Sequence, residues 1–318
     1  MNATMRCVAY HRFGDLDVLN VETLPEPVVP EAGVLVAVQA ASVNVIDSRA
    51  RRHELGPLVN KKFPKIPGAD FSGRVVQTGP GANRFKVGDE VYGATNPFQG
   101  GALAERVAVG EEQIARKPAG LSWEQAAALP ITGLAALYSL RELGKTHSST
   151  EVLIHGSTGG AGIMAIQIAK LLGARVTTVS SSKGLALSRE LGADETLDYS
   201  AGPVEYKRTF DVILNFSGHL PFAAARAHLC PSGRFIEPSP SIPEFISSML
   251  ANPFRRQKDL MLQTEAHRAD LEYLNQLTGS GKLKIIVAQT FPLLAAREAY
   301  ARQEAGGTIG KIVVNVPS

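Results

Sequence analysis

Residues 151–171 read EVLIHGSTGGAGIMAIQIAKL, which is a short apolar run, a glycine-rich turn and a longer apolar stretch. The first run predicts a strand, EVLIH, and the last predicts a helix that begins near Gly160. Between them lies HGSTGGAG, His155 to Gly162, in which four of the eight residues are glycine. A strand, a glycine-rich turn and a helix in this order form a unit that binds the pyrophosphate of a dinucleotide at the helix N-terminus.

The glycine spacing departs from the usual G-x-G-x-x-G pattern of such turns. The best frame has Ser157 in the place of the first glycine, followed by Gly159 and Gly162. The chemistry requires small residues and backbone N–H groups without acceptors, and this frame supplies both. A plain glycine turn is the alternative, and the further strand–helix units downstream favour the phosphate site. The predicted pyrophosphate-binding residues are Ser157, Thr158, Gly159, Gly160, Ala161 and Gly162.

The end of the next predicted strand indicates which dinucleotide is bound. Sites for NAD usually have an Asp or Glu about 20 residues after the glycine turn, which binds the ribose 2′-hydroxyl. Here the segment is RVTTVSSSKG, Arg175 to Gly184, and it has no acidic residue. Hydroxyl groups and a cation suit a 2′-phosphate, so Ser180 and Lys183 predict NADP(H). A solvated loop with no ligand is the alternative interpretation.

Composition is that of an ordinary globular protein. The chain has 318 residues, 44% of them hydrophobic, and a net charge of +3, which suggests about two domains and gives no argument for nucleic acid. The two cysteines, Cys7 and Cys230, exclude a disulfide framework or a cysteine-rich zinc site and suit the cytoplasm. No apolar run reaches the ~20 residues of a membrane span, and the N-terminus does not resemble a signal peptide.

The pattern of predicted elements changes along the chain. Residues 1–120 are rich in short strands and Gly/Pro turns, whereas residues 121–265 alternate strands with helices, which predicts a parallel sheet. Residues 266–318 predict a helix followed by a strand, a helix and a strand. We therefore expect an α/β protein in which a doubly wound domain (121–265) is inserted in a β-rich domain formed by 1–120 and 266–318.

Seven motifs make the chain resemble a known family, the zinc-free quinone oxidoreductase (zeta-crystallin-like) branch of the medium-chain dehydrogenase/reductase superfamily. The resemblance covers residues 5–316. It is carried by ASVNVIDSRARR, PGADFSGRVVQTGPGANRFKVGDEVYG, GGALAERVAV, AAALPITGLAALYSL, VLIHGSTGGAGIMAIQIAKLLGA, LGADETLDY and GKIVV. The resemblance implies a GroES-like catalytic domain and a Rossmann domain, with NADPH between them, and it allows a homodimer.

The resemblance also assigns candidate site residues. It places Asn44 near the nicotinamide amide or the substrate carbonyl and Thr132 near the nicotinamide, and we take these two as the catalytic candidates. Tyr199 should border the adenosine. Two segments after parallel strands, NFSG (215–218) and EPS (237–239), should line the cofactor. Their candidate cofactor-binding residues are Phe216, Ser217, Gly218 and Pro238.

The same alignment of motifs argues against a catalytic metal. Zinc enzymes of the superfamily have Cys where this chain has Asn44, and a His–Glu pair where it has Ala69–Asp70. The relay hydroxyl of the alcohol dehydrogenases corresponds to Ile46. We therefore expect no catalytic metal. We also expect the protein to reduce a quinone or an α,β-unsaturated carbonyl compound, because such acceptors delocalise the negative charge that the added hydride brings.

Other functions stay open at this point. One run of basic residues is interpreted first as a solvated loop. It could instead bind an anionic CoA or carrier-protein thioester, which would make the protein an enoyl-thioester reductase, or it could bind RNA, although only one aromatic residue accompanies it. A sensor or scaffold that binds NADPH without turnover is a third possibility. The basic run comprises Arg49, Arg51, Arg52, Lys61, Lys62 and Lys65.

Overall fold

The computed structural model describes residues 3–238 and 242–316. The chain divides into two compact units. The first unit comprises the chain up to Ile131, Glu265–Gly281 and the chain from Ile285 onward. The second unit comprises Thr132–Thr264 and Lys282–Lys284. The sequence places the first boundary at residue 120, whereas the observed division follows residue 131.

Within the described residues, the strands of the first unit form two sheets. The small one pairs β1 (Thr4–Ala9) with β2 (Asn20–Pro25). The strands of the larger one are β3 (Gly33–Ser42), β4 (Asp70–Thr78), β5 (Glu90–Ala94), β6 (Arg106–Gly110), β7 (Ile114–Arg116), β14 (Val287–Pro292) and β15 (Lys311–Asn315). Their order is β14-β15-β3-β4-β5-β7, with β6 also paired to β3. The C-terminal strands thus belong to the same sheet as the N-terminal ones.

Helices of the first unit cover this sheet and contribute to its core. They are α1 (Val45–Arg51), α2 (Trp123–Ala128), α8 (Arg268–Gly279) and α9 (Ala296–Glu304). Ser122 caps α2 by accepting from Gln125 N at 3.2 Å, as the sequence predicts. Pro130 opens α3 (Pro130–Leu137), which confirms the predicted break between two helices, since proline suits the first position of a helix.

The second unit is a doubly wound parallel sheet. Its strands are β8 (Glu151–His155), β9 (Arg175–Ser180), β10 (Glu195–Asp198), β11 (Phe210–Asn215), β12 (Leu229–Glu237) and β13 (Lys258–Met261). All pairs are parallel, in the order β10-β9-β8-β11-β12-β13. Numbered within the unit this is 3-2-1-4-5-6, the Rossmann order, and it confirms the predicted fold class. The connecting helices are α4 (Gly160–Leu171), α5 (Leu185–Glu190), α6 (Phe222–Ala225) and α7 (Ile242–Ala251).

Two segments of the second unit differ from the prediction. Residues 240–262 are only weakly strand-like in sequence. Over the described part of this range the structure forms helix α7 and then the edge strand β13. The apolar spacing in α7, with Ile246, Met249 and Leu250 three and four residues apart, is helical. The segment PFAAARAHLC (221–230) predicts a helix that ends at Cys230. The end of this predicted helix is wrong, because pairing of Leu229 with Phe210 places Cys230 inside β12.

The turn between β8 and α4 requires glycine at position 162. A Cβ atom on Gly162 would lie 2.6 Å from the Ser157 carbonyl carbon and closer still to the Gly156 oxygen. Both are backbone atoms, so neither can move away by rotating a side chain. At Gly159, by contrast, the nearest atom to a Cβ would be the Gly156 oxygen, 3.7 Å away. The third glycine of the frame is therefore a packing requirement, whereas the second has room.

We expect Gly162→Ala to lower the free energy of unfolding of the cofactor-free protein by about 1–3 kcal/mol, the usual cost of overpacking. This cost outweighs the ~1 kcal/mol gained from the better helix propensity of alanine. Gly159→Ala serves as the matched control and should cost less than about 1 kcal/mol. Urea unfolding of the three proteins measures the difference, and equal stability of the two variants would contradict the packing argument.

The first turn of helix α1 contains a buried carboxylate, that of Asp47. Asp47 Oδ2 accepts from Asn44 N at 2.9 Å and from the Tyr300 hydroxyl at 3.2 Å, while Asp47 Oδ1 is buried without a hydrogen-bond partner among the described residues. Burial raises the pKa of Asp47 to about 7; the nearby Asp70 also raises it, whereas the bonds from Asn44 and Tyr300 and the charge of Lys311 lower it. Ionising Asp47 therefore costs stability in the folded protein.

This pKa gives the stability a definite pH dependence. Because the folded protein holds the Asp47 proton at pH values where the unfolded chain has lost it, the free energy of unfolding should fall as pH rises from about 4 to about 7, by at most about 1.4 kcal/mol per pH unit. Asp47→Asn should lack this component, and the exposed Asp17→Asn should retain it. Chemical denaturation between pH 5 and 8 measures the slopes; parallel profiles for Asp47→Asn and the wild type would refute the assignment.

Candidate active site

The glycine turn lies where the strand order of the second unit reverses. Strands β8 and β11 are neighbours, with His155 opposite Asn215, and their connections leave the sheet in opposite directions. Ligands of open parallel sheets bind at the carboxyl end of such a switch point. The turn starts with Gly156, whose φ of +82° is in the left-handed region. A Cβ there would lie 2.7 Å from Ser217 N, so the glycine also permits close approach of the two strand ends.

The residues of the predicted phosphate site occupy two kinds of position. Ser157 is fully buried, and its hydroxyl lies 3.3 Å from both Val179 O and Ser188 Oγ, so its side chain supports the turn from inside. Gly159 is the N-cap of α4, and the N–H groups of the first helical turn, Gly160 to Gly162, have no acceptors within the helix. These N–H groups and the helix dipole suit an anion.

The serine-rich loop after β9 packs against the glycine turn. A Cβ on Gly184 would clash with the Thr158 methyl group and lie 3.0 Å from Ser180 Oγ. The Ser180 hydroxyl itself is buried and donates to Ser181 O at 3.1 Å. Lys183 is exposed and makes no ion pair with any carboxylate in the described part of the chain. Of the two residues predicted to face a 2′-phosphate, Lys183 is thus the one whose side chain is accessible to a ligand.

Sequence reasoning missed an acidic residue beside this loop. Asp198 ends β10, and the parallel register places it opposite Ser180 at the end of β9. It accepts from Ser200 N at 2.8 Å and from the Ser200 hydroxyl, which in turn accepts from Ser182 N at 3.2 Å. Hydrogen bonds from Ser200 lower the pKa of Asp198. The carboxylate comes from the third strand, so a search along the second strand cannot find it.

A histidine at the switch point was also missed. His155 Nδ1 lies 2.6 Å from Ser217 Oγ, and Ser217 Oγ donates to Asn215 Oδ1 at 2.9 Å. Since the hydroxyl proton is directed at Asn215, the proton between His155 and Ser217 belongs to the imidazole. Burial lowers the pKa of His155, and the nearby His219 lowers it further, so the ring is a neutral donor that joins the ends of β8 and β11.

The other candidates of the second unit are placed by their strand ends. Tyr199 follows Asp198 and is 52% exposed, so its ring is accessible to a ligand. Phe216 N donates to His155 O at 2.9 Å, and Gly218 has φ of +70°. Pro238 follows β12 and is half-buried, and Ser239 lies outside the described residues. Thr132 is a buried residue of α3.

The remaining candidate, Asn44, lies in a buried polar cluster of the first unit. Three strand ends meet there: the end of β3 lies between the start of β4 and the start of β15, because Ser42 pairs with Asp70 on one side and with Val313 on the other. Asp70 is the first residue of β4 and Lys311 the first of β15. The antiparallel register therefore brings together residues that are far apart in the chain.

The cluster is dry and densely hydrogen-bonded. Asn44, Asp70 and Lys311 are 7%, 0% and 5% exposed. Asp70 Oδ2 accepts from Ser42 Oγ at 2.6 Å and from Asn44 Nδ2 at 2.9 Å, and Asp70 Oδ1 accepts from Ile131 N at 2.8 Å. Lys311 Nζ donates to Asn44 Oδ1 at 2.7 Å and to Val43 O at 2.8 Å, and it lies 3.6 Å from Asp70 Oδ2. The cluster thus contains one buried cation and one buried anion around a single amide.

The sequence motif GKIVV contains Lys311, but sequence reasoning gave the lysine no role. The available signal was its position, since a lysine at the start of an apolar run that forms a central strand must bury its charge or end the strand. Burial lowers the pKa of Lys311, whereas the carboxylates of Asp70 and Asp47 raise it. Burial is the larger effect, and the two carboxylates offset part of it.

The donor set does not suit a metal. Among the described residues no group of three or more His, Cys, Asp or Glu side chains could hold a metal ion. Around Asn44 the position facing the amide oxygen is already occupied by the Lys311 ammonium. No helix in the described part of the chain is long and apolar enough to cross a membrane.

The basic run is largely neutralised within the first unit. Arg51 is buried and pairs with Glu304 at 2.6 Å, and Arg52 pairs with Glu304 and with Asp15. Two further members also have partners, Arg49 with Glu54 and Lys65 with Asn60. Only Lys61 and Lys62 are exposed without an ion pair among the described residues, so the run offers little charge to an RNA or a thioester.

Two family models match the chain. The alcohol dehydrogenase GroES-like domain matches residues 30–119, and a model described as zinc-binding dehydrogenase matches residues 191–314. The first match confirms that the β-rich unit is GroES-like. The second carries the name of a metal that the side chains around Asn44 do not suit.

Two relatives with similar sequences are named as a quinone oxidoreductase homolog and a reductase. A chloroplast envelope quinone oxidoreductase homolog of Arabidopsis thaliana is 30% identical over 302 residues, which cover 92% of each chain. A 2-methylene-furan-3-one reductase of Solanum lycopersicum is 31% identical, with coverage of 98% of this chain and 79% of the relative. Both matches extend through the two units.

A solved structure has the same fold as this chain. The quinone oxidoreductase from Coxiella burnetii superposes with a TM-score of 0.89 at 29% identity, and the match covers 99% of this chain and 100% of that one. The Rossmann strand order, the GroES-like sheet and the full-length matches agree with the resemblance seen in the motifs. The chain belongs to the quinone oxidoreductase branch of the medium-chain dehydrogenase/reductase superfamily, and it is an oxidoreductase.

Proposed function

We propose that the protein is an NADPH-dependent reductase of quinones or α,β-unsaturated carbonyl compounds that works without a metal. The observation that carries the proposal is the cluster around Asn44. Asn44 stands where zinc enzymes of the superfamily have Cys, and its amide contacts the carboxylate of Asp70 and the ammonium of Lys311. Such a cluster offers hydrogen bonds to an oxygen of the substrate, which are weaker than coordination to a metal ion.

Hydrogen bonding alone favours acceptors that spread the charge of the added hydride. NADPH supplies a hydride to the electrophilic carbon. The negative charge then delocalises into an enolate or a hydroquinone anion, and a proton from water completes the reduction. In this proposal Asn44 donates to the oxygen on which the charge develops, and Thr132 borders the nicotinamide. The name of the tomato relative, a methylene-furanone reductase, belongs to an enzyme of the same acceptor class.

The cofactor would be held by groups of the second unit. The first-turn N–H groups of α4, from Gly160 to Gly162, suit the pyrophosphate, and the exposed Tyr199 ring suits the adenosine. The glycine turn also contributes the backbone of Thr158 and Gly159. The lysine of the serine-rich loop, Lys183, is the group that would bind a 2′-phosphate, and the carboxylate of Asp198 is the group that would oppose it.

The location and assembly predicted from the sequence remain proposals. Neither cysteine is in a disulfide, which is consistent with the reducing cytoplasm; the Arabidopsis relative is named for the chloroplast envelope. The edge strand β13 has a neighbour on one side in its sheet, and an open edge of this kind is compatible with a homodimer.

The first prediction of this proposal concerns the acceptor. Oxidation of NADPH by the chelator-treated protein should be rapid with benzoquinones, naphthoquinones and enones and negligible with saturated aldehydes and ketones, because only the former delocalise the charge. Absorbance of NADPH follows the reaction. Turnover confined to saturated carbonyls and dependent on added zinc would overturn the proposal. NADPH binding without any turnover would instead favour a sensor or scaffold that binds NADPH without catalysis.

The second prediction concerns the dinucleotide. Lys183→Glu should raise the KM for NADPH at least about tenfold, since it removes a charge-assisted contact worth about 1.5–3 kcal/mol and adds repulsion, and it should leave the KM for NADH within about threefold. Lys282→Glu is the matched control at another exposed lysine and should change neither. A wild type that prefers NADH, or an unchanged NADPH KM in Lys183→Glu, would remove the basis for NADP(H).

A further inference from the structure

The buried cluster of the first unit points to a role for Lys311. We propose that Lys311 is a positioning residue that, together with Asp70, fixes the Asn44 amide in one orientation and polarises it, so that its remaining N–H donates to the carbonyl oxygen of the acceptor. The inference rests on the proposed function and deepens it, because it names the group that sets the polarity of the substrate contact.

The chemistry of the two neighbours determines the orientation of the amide. The Lys311 ammonium has only donors, so it must face the amide oxygen, and the distance from Lys311 Nζ to Asn44 Oδ1 is 2.7 Å. The Asp70 carboxylate has only acceptors, so it must face the amide nitrogen, and the distance from Asn44 Nδ2 to Asp70 Oδ2 is 2.9 Å. Both neighbours select the same rotamer of the amide independently.

The opposite orientation is excluded by burial. A flipped Asn44 would direct its NH2 group at the ammonium and its oxygen at the carboxylate, and the cluster is too dry for water to compensate either contact. The backbone supports the observed orientation as well, because Asn44 N donates to Asp47 Oδ2. One N–H of the Asn44 amide is used by Asp70, and in the proposal the other, which has no acceptor among the described residues, donates to the ligand.

Lys311 also changes the strength and the electrostatics of this donor. A cation on the amide oxygen withdraws electron density from the nitrogen and strengthens the remaining N–H as a donor. The same cation lies 3.6 Å from Asp70 Oδ2, so it offsets the negative charge that would otherwise repel an oxygen becoming anionic. Without Lys311 the amide would lose one of its two orienting contacts, and the carboxylate would oppose the developing charge.

Other groups around the ammonium complete the cluster. Lys311 donates to Val43 O, and Asp70 accepts from Ser42 Oγ and Ile131 N. The second carboxylate, Asp47, lies on the other side of Asn44 and raises the pKa of Lys311 together with Asp70. These contacts hold the strand ends whether or not a substrate is present, which is the property expected of a preorganised donor.

Four variants separate positioning from structural support. Lys311→Met removes the charge and the donors; Lys311→Arg keeps both; Lys311→Met/Asp70→Asn removes both charges and restores the charge balance of the core; and Lys282→Met is an exposed control. For each we would measure kcat and KM for a quinone at saturating NADPH, the Kd of NADPH by fluorescence, and the thermal unfolding midpoint.

We expect Lys311→Met to lower kcat by up to about 100-fold, the effect of misplacing a positioned group by about 1 Å, with the Kd of NADPH unchanged within about threefold. Lys311→Arg should recover part of kcat. The double variant should regain the unfolding midpoint of the wild type but not its kcat, because the Asp70→Asn change places a donor opposite the Asn44 amide and favours the flipped orientation. Lys282→Met should match the wild type.

The outcomes distinguish this inference from the function on which it rests. A double variant that regains kcat together with stability would reduce Lys311 to a structural residue and overturn the inference, as would an unaffected kcat in Lys311→Met with an active wild type. A wild type that reduces no conjugated acceptor would overturn the proposed function itself, and with it the role of the amide as a donor to substrate.

Discussion

The buried ion pair between Asp70 and Lys311 is the contact on which the polar cluster around Asn44 depends. Removing two charges from water costs several kcal/mol per ion, and only good geometry with additional hydrogen bonds offsets that cost. Here the additional bonds come from Ser42, Asn44, the Ile131 N–H and the Val43 carbonyl. All of these groups lie at the meeting point of β3, β4 and β15, so the pair can be satisfied in one register of these strands. A slip by one residue would turn both charges to the other face of the sheet.

The glycine turn was readable from the sequence because its determinants are local. Strand EVLIH, the turn and the helix follow one another directly, and Gly162 is required by contacts with Gly156 and Ser157, which lie only a few residues earlier in the same turn. The role of Lys311 could not be read in the same way. Its partners, Asp70 and Asn44, are brought to it by strand pairing across most of the chain, and neither composition nor spacing encodes that pairing. Helix α7 was missed for a different reason. Its apolar residues Ile246, Met249 and Leu250 recur at helical spacing, but so short a repeat does not separate a helix from a strand.

The dinucleotide preference shows how a correct local observation can be incomplete. The second strand of the Rossmann sheet has no acid at its end, as the sequence indicates, but the parallel register places Asp198 of the third strand beside Ser180. The ribose region thus contains both a cation and a carboxylate. The carboxylate is engaged by the N–H and hydroxyl of Ser200, which reduces the negative potential that it projects. Lys183 has no such partner among the described residues, and this difference is the basis on which we propose a 2′-phosphate at the loop.

The strength of the donor explains why the acceptor should be conjugated. A preorganised hydrogen bond to a developing oxyanion lowers the activation barrier by about 2.7–4 kcal/mol. A metal ion instead places a full charge in direct contact with the oxygen. The Lys311 ammonium acts on the substrate through the Asn44 amide, and the Asp70 carboxylate offsets part of its field. Such a donor is sufficient when most of the negative charge spreads over an enolate or a quinone ring, and it is insufficient for the localised alkoxide of a saturated ketone. In the proposed function the ammonium, the carboxylate and the amide therefore favour acceptors that can delocalise the charge themselves.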